Sequence, residues 1–528
     1  MHTHRRGFLQ ILGGALTFAL GQGSCAREPP SAWQVHRSTR NTRGGAIGAR
    51  LRRQLSSEEA SPFKSYPGVE RLALSSTSGD PTLPLAVVVR SDATLPGSSD
   101  EPLDRTELGR LLHLTNGMTG QRGDTLLRAA PSAGALYAGE VYVMVERVKG
   151  VSPGAYYYAV ADHALLRIRT GSLANGLARA VESADLIEGA SAIILLSNVF
   201  NRYGRRYANR GYRYAFIDTG HIGENLRLSA RSLGLGERGF LRFHDDRINA
   251  LLELDGLTES VCALHAVGKW ETDGSDATRG RSFVEKRTSA EDLPGVGTVQ
   301  RYQEASKLIE TGAKNESRLP DDSPTARTTP LTPHTTGPGT TLPPSQAFAP
   351  SGSVQAMIRQ RRSTVRFSDE PITQTDLGFV LEAAAGHSWL RRAPGVDLLL
   401  VVHRVADLAP GLYDYEPQRH RVGLVRGADL RESMVAACLG QERAGTAAAG
   451  VLMVGRVGQQ ARRLGGRSYR DLLIESGAIG QRVYLAAEAS GLTARNLAAF
   501  LDDQLNALLG LDGVERATLH LTMLGRGN

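Results

Sequence analysis

The sequence predicts an α+β fold written twice in tandem, and three observations carry that prediction. One stretch of chain returns at a fixed offset. PGAYYYAVADHALLRIRTG from Pro153 is echoed by PGLYDYEPQRHRVGLVRGA from Pro410, and the segment from Gly211 by the segment from Ser468, each 257 residues later. Between Tyr212 and Gly268 about 23 of 57 positions match their counterparts without a gap, which marks duplication of a whole domain rather than a short-repeat solenoid. Each copy also mixes strand-like and helix-like periodicities, and a polar connector separates the two.

The elements follow in order. Residues 36–100 lead into the first copy. LDRTELGRLLHLTNGM and its partner ITQTDLGFVLEAAAG have helical apolar spacing, the second with Thr373 or Thr375 as N-cap. VYVMVERV (141–148) and DLLLVVHRV (397–405) read as strands, as do ASAIILLSNV (190–199) and AGVLMVGRV (449–457). FIDTGHIGENLRLSARSLGL and its twin read as a long core helix in each copy. The early glycines there, Gly220 and Gly223 with Gly477 and Gly480, allow close approach of either another helix or a ligand. Asp245-Asp246 and Asp502-Asp503 suit first helix turns. His163 and His420 recur after a Gly-x-Tyr-x-Tyr hairpin and suggest a repeated structural contact, and His221 reads as a packing residue. From about Glu271 the chain turns polar, and the Pro/Thr/Gly-rich run 323–346 is expected to be an extended linker without a core. The expected boundaries are 1–26 for an export signal, 36–270 and 351–528 for the two domains, and 271–350 for the linker.

Composition narrows the class. A chain of 528 residues with 41% hydrophobic content suits a globular protein of two or more domains. The formal charge of +8 is spread along the chain with no basic cluster or reader motif, so nucleic acid is not an expected partner. Cys25, Cys262 and Cys438 lack metal-ligand spacing, so neither a metal centre nor a disulfide framework is expected. THRRGFLQILGGALTFALGQGSCA resembles a twin-arginine export signal: Arg5-Arg6, then Phe8-Leu9, then a short apolar run. Ser24-Cys25-Ala26 fits a small-x-small peptidase site, and Cys25 after Gly23-Ser24 also allows a lipoprotein at the periplasmic or envelope face.

Several ordered motifs carry a family resemblance. RQRRSTVRFSDEPITQTDLGFVLEAAAG (359–386) resembles the opening of the nitroreductase-like flavoenzymes, and the twin core helices resemble their central helix. In the first copy, His36 to Arg40, PFKSYPG (62–68), PSAGALY (131–137) and RYANRGYRYAFIDTGH (206–221) are similar to the SagB/ThcOx-type dehydrogenases, a branch that includes azoline oxidases. The resemblance implies a nitroreductase-like fold, FMN as cofactor, a small-molecule or peptide substrate, and NAD(P)H or another electron donor. Members are usually homodimers that hold flavin at the interface, so a tandem pair implies an intrachain pseudo-dimer.

The residues agree with that chemistry. Arg361, Arg362 and Arg366 offer guanidinium forks to a phosphate, and Ser363 adds a hydroxyl. Pro131, Ser132, Ala133, Gly134, Ala135 and Leu136 form a small-residue loop on which a flat ring can lie. The second copy reads LRRAPGVDLLL at the matching place, about a dozen residues shorter, so one working flavin site and one degenerate site are expected. In the SagB/ThcOx branch a Lys-Tyr pair precedes the Gly-Tyr-Arg-Tyr stretch; here it is Arg206-Tyr207. Arginine stays protonated and is a poor base, so Tyr207 is the candidate for proton transfer, with a structural hydrogen bond as its other reading, and Arg206 for steadying an anion. A flavin-binding scaffold without turnover is the alternative. Arg526 near the C-terminus is a further candidate for the phosphate.

Overall fold

A computed structural model describes residues 32–42, 61–75, 83–90, 101–269, 283–285, 302–303, 306–310, 339–344, 352–386 and 395–527. The expected export signal with Cys25, most of the expected 271–350 connector and the second-copy run 390–394 lie outside the described residues.

Each half is built on a seven-stranded sheet. In the first the strands are β1 (Arg71–Ala73), β2 (Gly139–Val145), β3 (Gly154–Ala159), β4 (Ala164–Thr170), β5 (Ala192–Val199), β6 (Gly236–Phe240) and β7 (Glu259–Gly268), in the order β1-β4-β3-β2-β5-β7-β6. The second sheet has β8 (Thr340–Thr341), β9 (Val396–Val402), β10 (Gly411–Glu416), β11 (Arg421–Gly427), β12 (Ala449–Gly455), β13 (Thr493–Asn496) and β14 (Ala517–Gly525). Its order is β8-β11-β10-β9-β12-β14-β13, the same arrangement, and every pairing in both sheets is antiparallel.

Alternation within the central strands assigns the two faces of each sheet. Val141, Val143 and Val145 of β2 join Leu398, Leu400 and Val402 of β9 in one core shared by both halves. Tyr142 and Met144 turn outward into a cluster of the first half, and Leu399 and Val401 into one of the second. The shared core contains the two central helices, Gly211–Ser232 and Ser468–Ala489. They cross at Gly220 and Gly477: a Cβ on Gly220 would overlap the Ile474 carbonyl and stand 2.9 Å from the Gly477 Cα. Of the two readings of these glycines, close helix approach is the one the fold realises.

Ion pairs lock the halves together reciprocally. Asp502 accepts from Arg210 (2.7 Å) and Arg213 (2.6 Å); Asp245 accepts from Arg467 (2.7 Å) and Arg470 (3.3 Å). The aspartates thus sit at helix starts, as their sequence pattern suggests, and each also neutralises two buried arginines of the other half. Thr373 caps the helix Gln374–Ala385 in a capping box with Asp376. His163 and His420 both adopt left-handed backbone and meet Tyr158 and Tyr415 at 2.8 Å, the repeated contact.

Parts of the expected linker are ordered. Thr340–Thr341 pairs with β11, and Leu308–Glu310 pairs with Phe283–Glu285 while Leu308 donates its backbone N–H to Asp245. Edge pairing needs backbone groups rather than apolar side chains, so polar composition conceals it.

Candidate functional site

Between the halves lies a cavity of about 180 Å³ that opens to solvent. The first half contributes Pro131, Ser132, Ala133 and Gly134 from the loop before β2, and Tyr207, Tyr214, Ile217, Asp218 and His221 from the central-helix region. The second half contributes Ser363, Gln441 and Tyr484, the run Arg495 to Ala499 around the end of β13, and His520 of β14.

The loop is held in a conformation few sequences tolerate. Gly134, Ala135 and Tyr137 have φ of 64°, 55° and 47°. The positive φ favours glycine at 134, and a Cβ there would press on the Tyr207 hydroxyl. A buried chain anchors the loop from below. The Tyr137 N–H donates to Ser132 Oγ (2.9 Å), Ser132 Oγ lies 2.6 Å from the Tyr203 hydroxyl, and Tyr203 donates to Asp218. Burial pushes the Asp218 carboxyl up to about 7, against the opposing pull of these hydrogen bonds.

On the opposite wall Tyr484 meets Ser363 at 2.8 Å and accepts the Asn496 backbone N–H at 2.9 Å. His221 is fully engaged: Nδ1 meets Gln481 Oε1 at 3.0 Å and Nε2 meets Asn496 Nδ2 at 2.8 Å. Burial holds its imidazole well below the usual range, so it is neutral. Arg495 donates to the Thr364 carbonyl at 2.8 Å, and Arg443 and Arg122 are close enough to repel its charge.

The structure brings only some of the sequence-predicted residues to the cavity. Ser363, Tyr207 and Pro131 to Gly134 line it; Ala135 and Leu136 continue the loop outside the lining. Arg361 is buried and donates to the Arg128 and Ala129 carbonyls (3.4 and 3.2 Å), its guanidinium over the Tyr484 ring at 5.2 Å. Arg362 donates to the carbonyls of Thr119, Arg359 and Arg361, at 2.7–2.8 Å. Arg366 is exposed, and Arg206 stacks near the Tyr207 ring at 5.7 Å; neither lines the cavity. Arg526 reaches the Pro371 carbonyl and the carboxylates of Glu370 and Asp376. Backbone carbonyls thus take up Arg361 and Arg362, those of Arg128, Ala129 and Thr119 from the first half and those of Arg359 and Arg361 from the second, a demand invisible in their local sequence.

Residues that sequence reasoning did not single out complete the site: Tyr484, Arg495, Asn496 and His520. A signal for three of them exists. At the twin positions the first copy has Arg227 for Tyr484, Gly239 for Asn496 and Ala263 for His520. Likewise Leu464 stands for Tyr207 and Ala478 for His221. Polar and aromatic differences between the copies therefore gather on one cavity. The helix Arg105–Asn116 and its twin Gln374–Ala385 are offset by 269 residues, whereas β2 and β9 are offset by 257. The connector between them is therefore 12 residues longer in the first half, where it forms the ribbon Met118–Arg122/Thr125–Arg128 and leads into the loop.

These residues fit a flat anionic heteroaromatic such as a flavin nucleotide. Small side chains leave the loop backbone open to a ring, Arg495 brings positive charge with further arginines beside it, and the buried imidazole of His520 has no partner for either nitrogen.

Comparison with known proteins agrees with the duplicated fold. A crystal structure of a nitroreductase-like protein from Anabaena variabilis superposes over 94% of this chain and all of its own, with a TM-score of 0.73 and 24% identity. A nitroreductase-like protein of Methanocaldococcus jannaschii is 35% identical over 153 residues, 29% of this chain and 76% of its own. Trifolitoxin-processing protein TfxB of Rhizobium leguminosarum bv. trifolii is 30% identical over 163 residues, 28% of this chain and 41% of its own. The Nitroreductase family model matches twice, over residues 99–269 and 358–526, and the chain therefore belongs to the Nitroreductase family as a tandem duplicate.

Proposed function

We propose that the protein is an FMN-dependent oxidoreductase of SagB type, with one composite flavin site between its halves. The carrying observation is the cavity in which Pro131 to Gly134 of one half face Ser363, Tyr484 and Arg495 of the other. FMN, when bound, supplies the two-electron chemistry. The chain supplies the rest. The Pro131–Gly134 loop, held by Ser132, Tyr203 and Asp218, orients the ring. Arg495 with its neighbours Arg443 and Arg122 carries the charge that a phosphate needs, while Arg361 and Arg362 fix the first-half backbone against the second half. Tyr207, its ring packed edge-on against Tyr214 at 4.8 Å, presents its hydroxyl beside Gly134 and handles the proton at the substrate. Arg206 steadies negative charge nearby.

A small-molecule or peptide substrate completes the reading, and the likeness to TfxB, named as a trifolitoxin-processing protein, supports a role in a processing reaction. NAD(P)H or another carrier is the electron donor. Arg5-Arg6 and the apolar run after them support export to the periplasm or envelope, with Cys25 as the lipidation candidate.

The visible spectrum of the purified protein, followed by flavin extraction, tests this reading. Flavin bands and about one FMN per chain are expected; a colourless protein that takes up no FMN overturns it, and two FMN per chain overturn the asymmetry between the sites. Arginine at 206, where the SagB/ThcOx branch has lysine, favours a second reading, a flavin-binding scaffold. Dithionite bleaching without turnover of any tested substrate or reductant would select that reading.

A further inference from the structure

His520 lies in β14, paired with Met453 of β12, and lines the cavity. It is 1% exposed, and neither ring nitrogen has a hydrogen-bond partner. The Cδ2–Nε2 edge of its ring lies against the central helix at Gly480, where a Cβ would stand 3.1 Å from either atom and where helical N–H groups are already spent on the helix itself. Burial holds the imidazole down at about 3, so across physiological pH it is neutral, with one N–H donor and one bare acceptor nitrogen. An unpaired polar group in a packed core weakens the empty protein. The twin position in the first copy is Ala263, which makes no such demand.

The contrast with His221 is informative. That imidazole, 5.8 Å away ring to ring, has both nitrogens satisfied by Gln481 and Asn496. The two histidines share one environment and one electrostatic state, yet only one is paired. Polar capacity at the wall of a cavity, unused by the protein and absent from the sister half, is capacity kept for an occupant.

We propose that His520 is a ligand-binding residue: its neutral imidazole hydrogen-bonds a polar ring-edge atom, carbonyl or nitrogen, of the flat heteroaromatic that fills the cavity. The assignment rests on the flavin reading and adds to it a residue on the second half's sheet. It also requires a trade between stability and binding, because the imidazole is a liability until the cavity is filled.

FMN titrated into flavin-stripped protein, followed by fluorescence, tests the assignment together with thermal melts without FMN. His520→Leu, close in volume and apolar, should weaken FMN binding about tenfold or more, the worth of one buried hydrogen bond. It should also raise the melting temperature of the FMN-free protein by about 2 °C or more. His520→Gln, which keeps a donor and an acceptor, should bind within about threefold of wild type. A His520→Leu protein that binds FMN as tightly as wild type overturns the assignment. So does one that melts lower than wild type or fails to fold, since the imidazole would then be partnered in the empty protein. Wild type that takes up no FMN overturns the flavin reading itself and His520's role with it.

Discussion

Gly220 and Gly477 occupy the same place in the two halves and stand against each other where the central helices cross, so that neither has room for a methyl group. A Cβ on Gly477 would overlap the Ile217 carbonyl, which is helix backbone and cannot swing aside. Gly477→Ala is expected to cost ~3 kcal/mol or more, the upper range for overpacking a core. Urea denaturation measures it, and FMN uptake should fall in parallel because the cavity depends on the same crossing. Unchanged stability would show that the helices stand further apart.

The reciprocal aspartates give a second expectation. Asp502→Asn leaves Arg210 and Arg213 buried without a counter-charge and should destabilise by ~3–5 kcal/mol. Burial opposes the ionised form of Asp502, but the two guanidinium groups win and hold its carboxyl down at about 2, from 3.8. A depressed carboxyl stabilises the fold fully above the unfolded value and loses that effect as pH falls. Wild type should therefore lose stability between about pH 4 and pH 2. Asp502→Asn should lack this share of the acid transition, and an identical acid profile would contradict the ion pairs.

Asp218 predicts the opposite slope. Its folded carboxyl titrates near 7 against 3.8 when unfolded, so the native state keeps a proton that the unfolded chain has already released. Its contribution makes stability fall as pH rises from about 4 to 7, by on the order of a few kcal/mol. Unfolding free energies of wild type and Asp218→Asn at pH 5 and pH 7.5 measure it. The variant should show the shallower decline, and equal declines would rule out a protonated Asp218.

Arg361 acts through backbone. Arg361→Ala removes the donors to the Arg128 and Ala129 carbonyls just before the Pro131 loop, and the cation over Tyr484. A loss of ~2–3 kcal/mol and weaker FMN binding are expected, measured by denaturation and fluorescence titration. Arg361→Lys restores charge without the fork and should recover little of either. Full recovery by lysine would mean that charge alone is the requirement.

How much was legible in the sequence differs between fold and site. The duplication, the strand runs around Val143 and Leu400, the long helices and a threonine cap at Thr373 or Thr375, realised at Thr373, are readable, because apolar periodicity and end-capping are local properties of the chain. Ser363, Tyr207 and the Pro131–Gly134 loop were legible through motifs. Arg361, Arg362 and Arg366 are expected to face a ligand; in the structure Arg361 donates to first-half carbonyls, Arg362 to one first-half carbonyl and two of its own half, and Arg366 is exposed.

The sequence by itself determined that two copies of one domain exist, which elements each contains, and that only one copy keeps the loop of small residues. Tertiary structure alone decided which side chains share the cavity. Ser132, Tyr484, Arg495 and His520 meet only because the helix crossing at Gly220 and Gly477 sets one sheet against the other. Periodicity reports a residue's immediate neighbours along the chain, whereas a pocket between two halves is fixed by packing and buried hydrogen bonding among segments hundreds of residues apart.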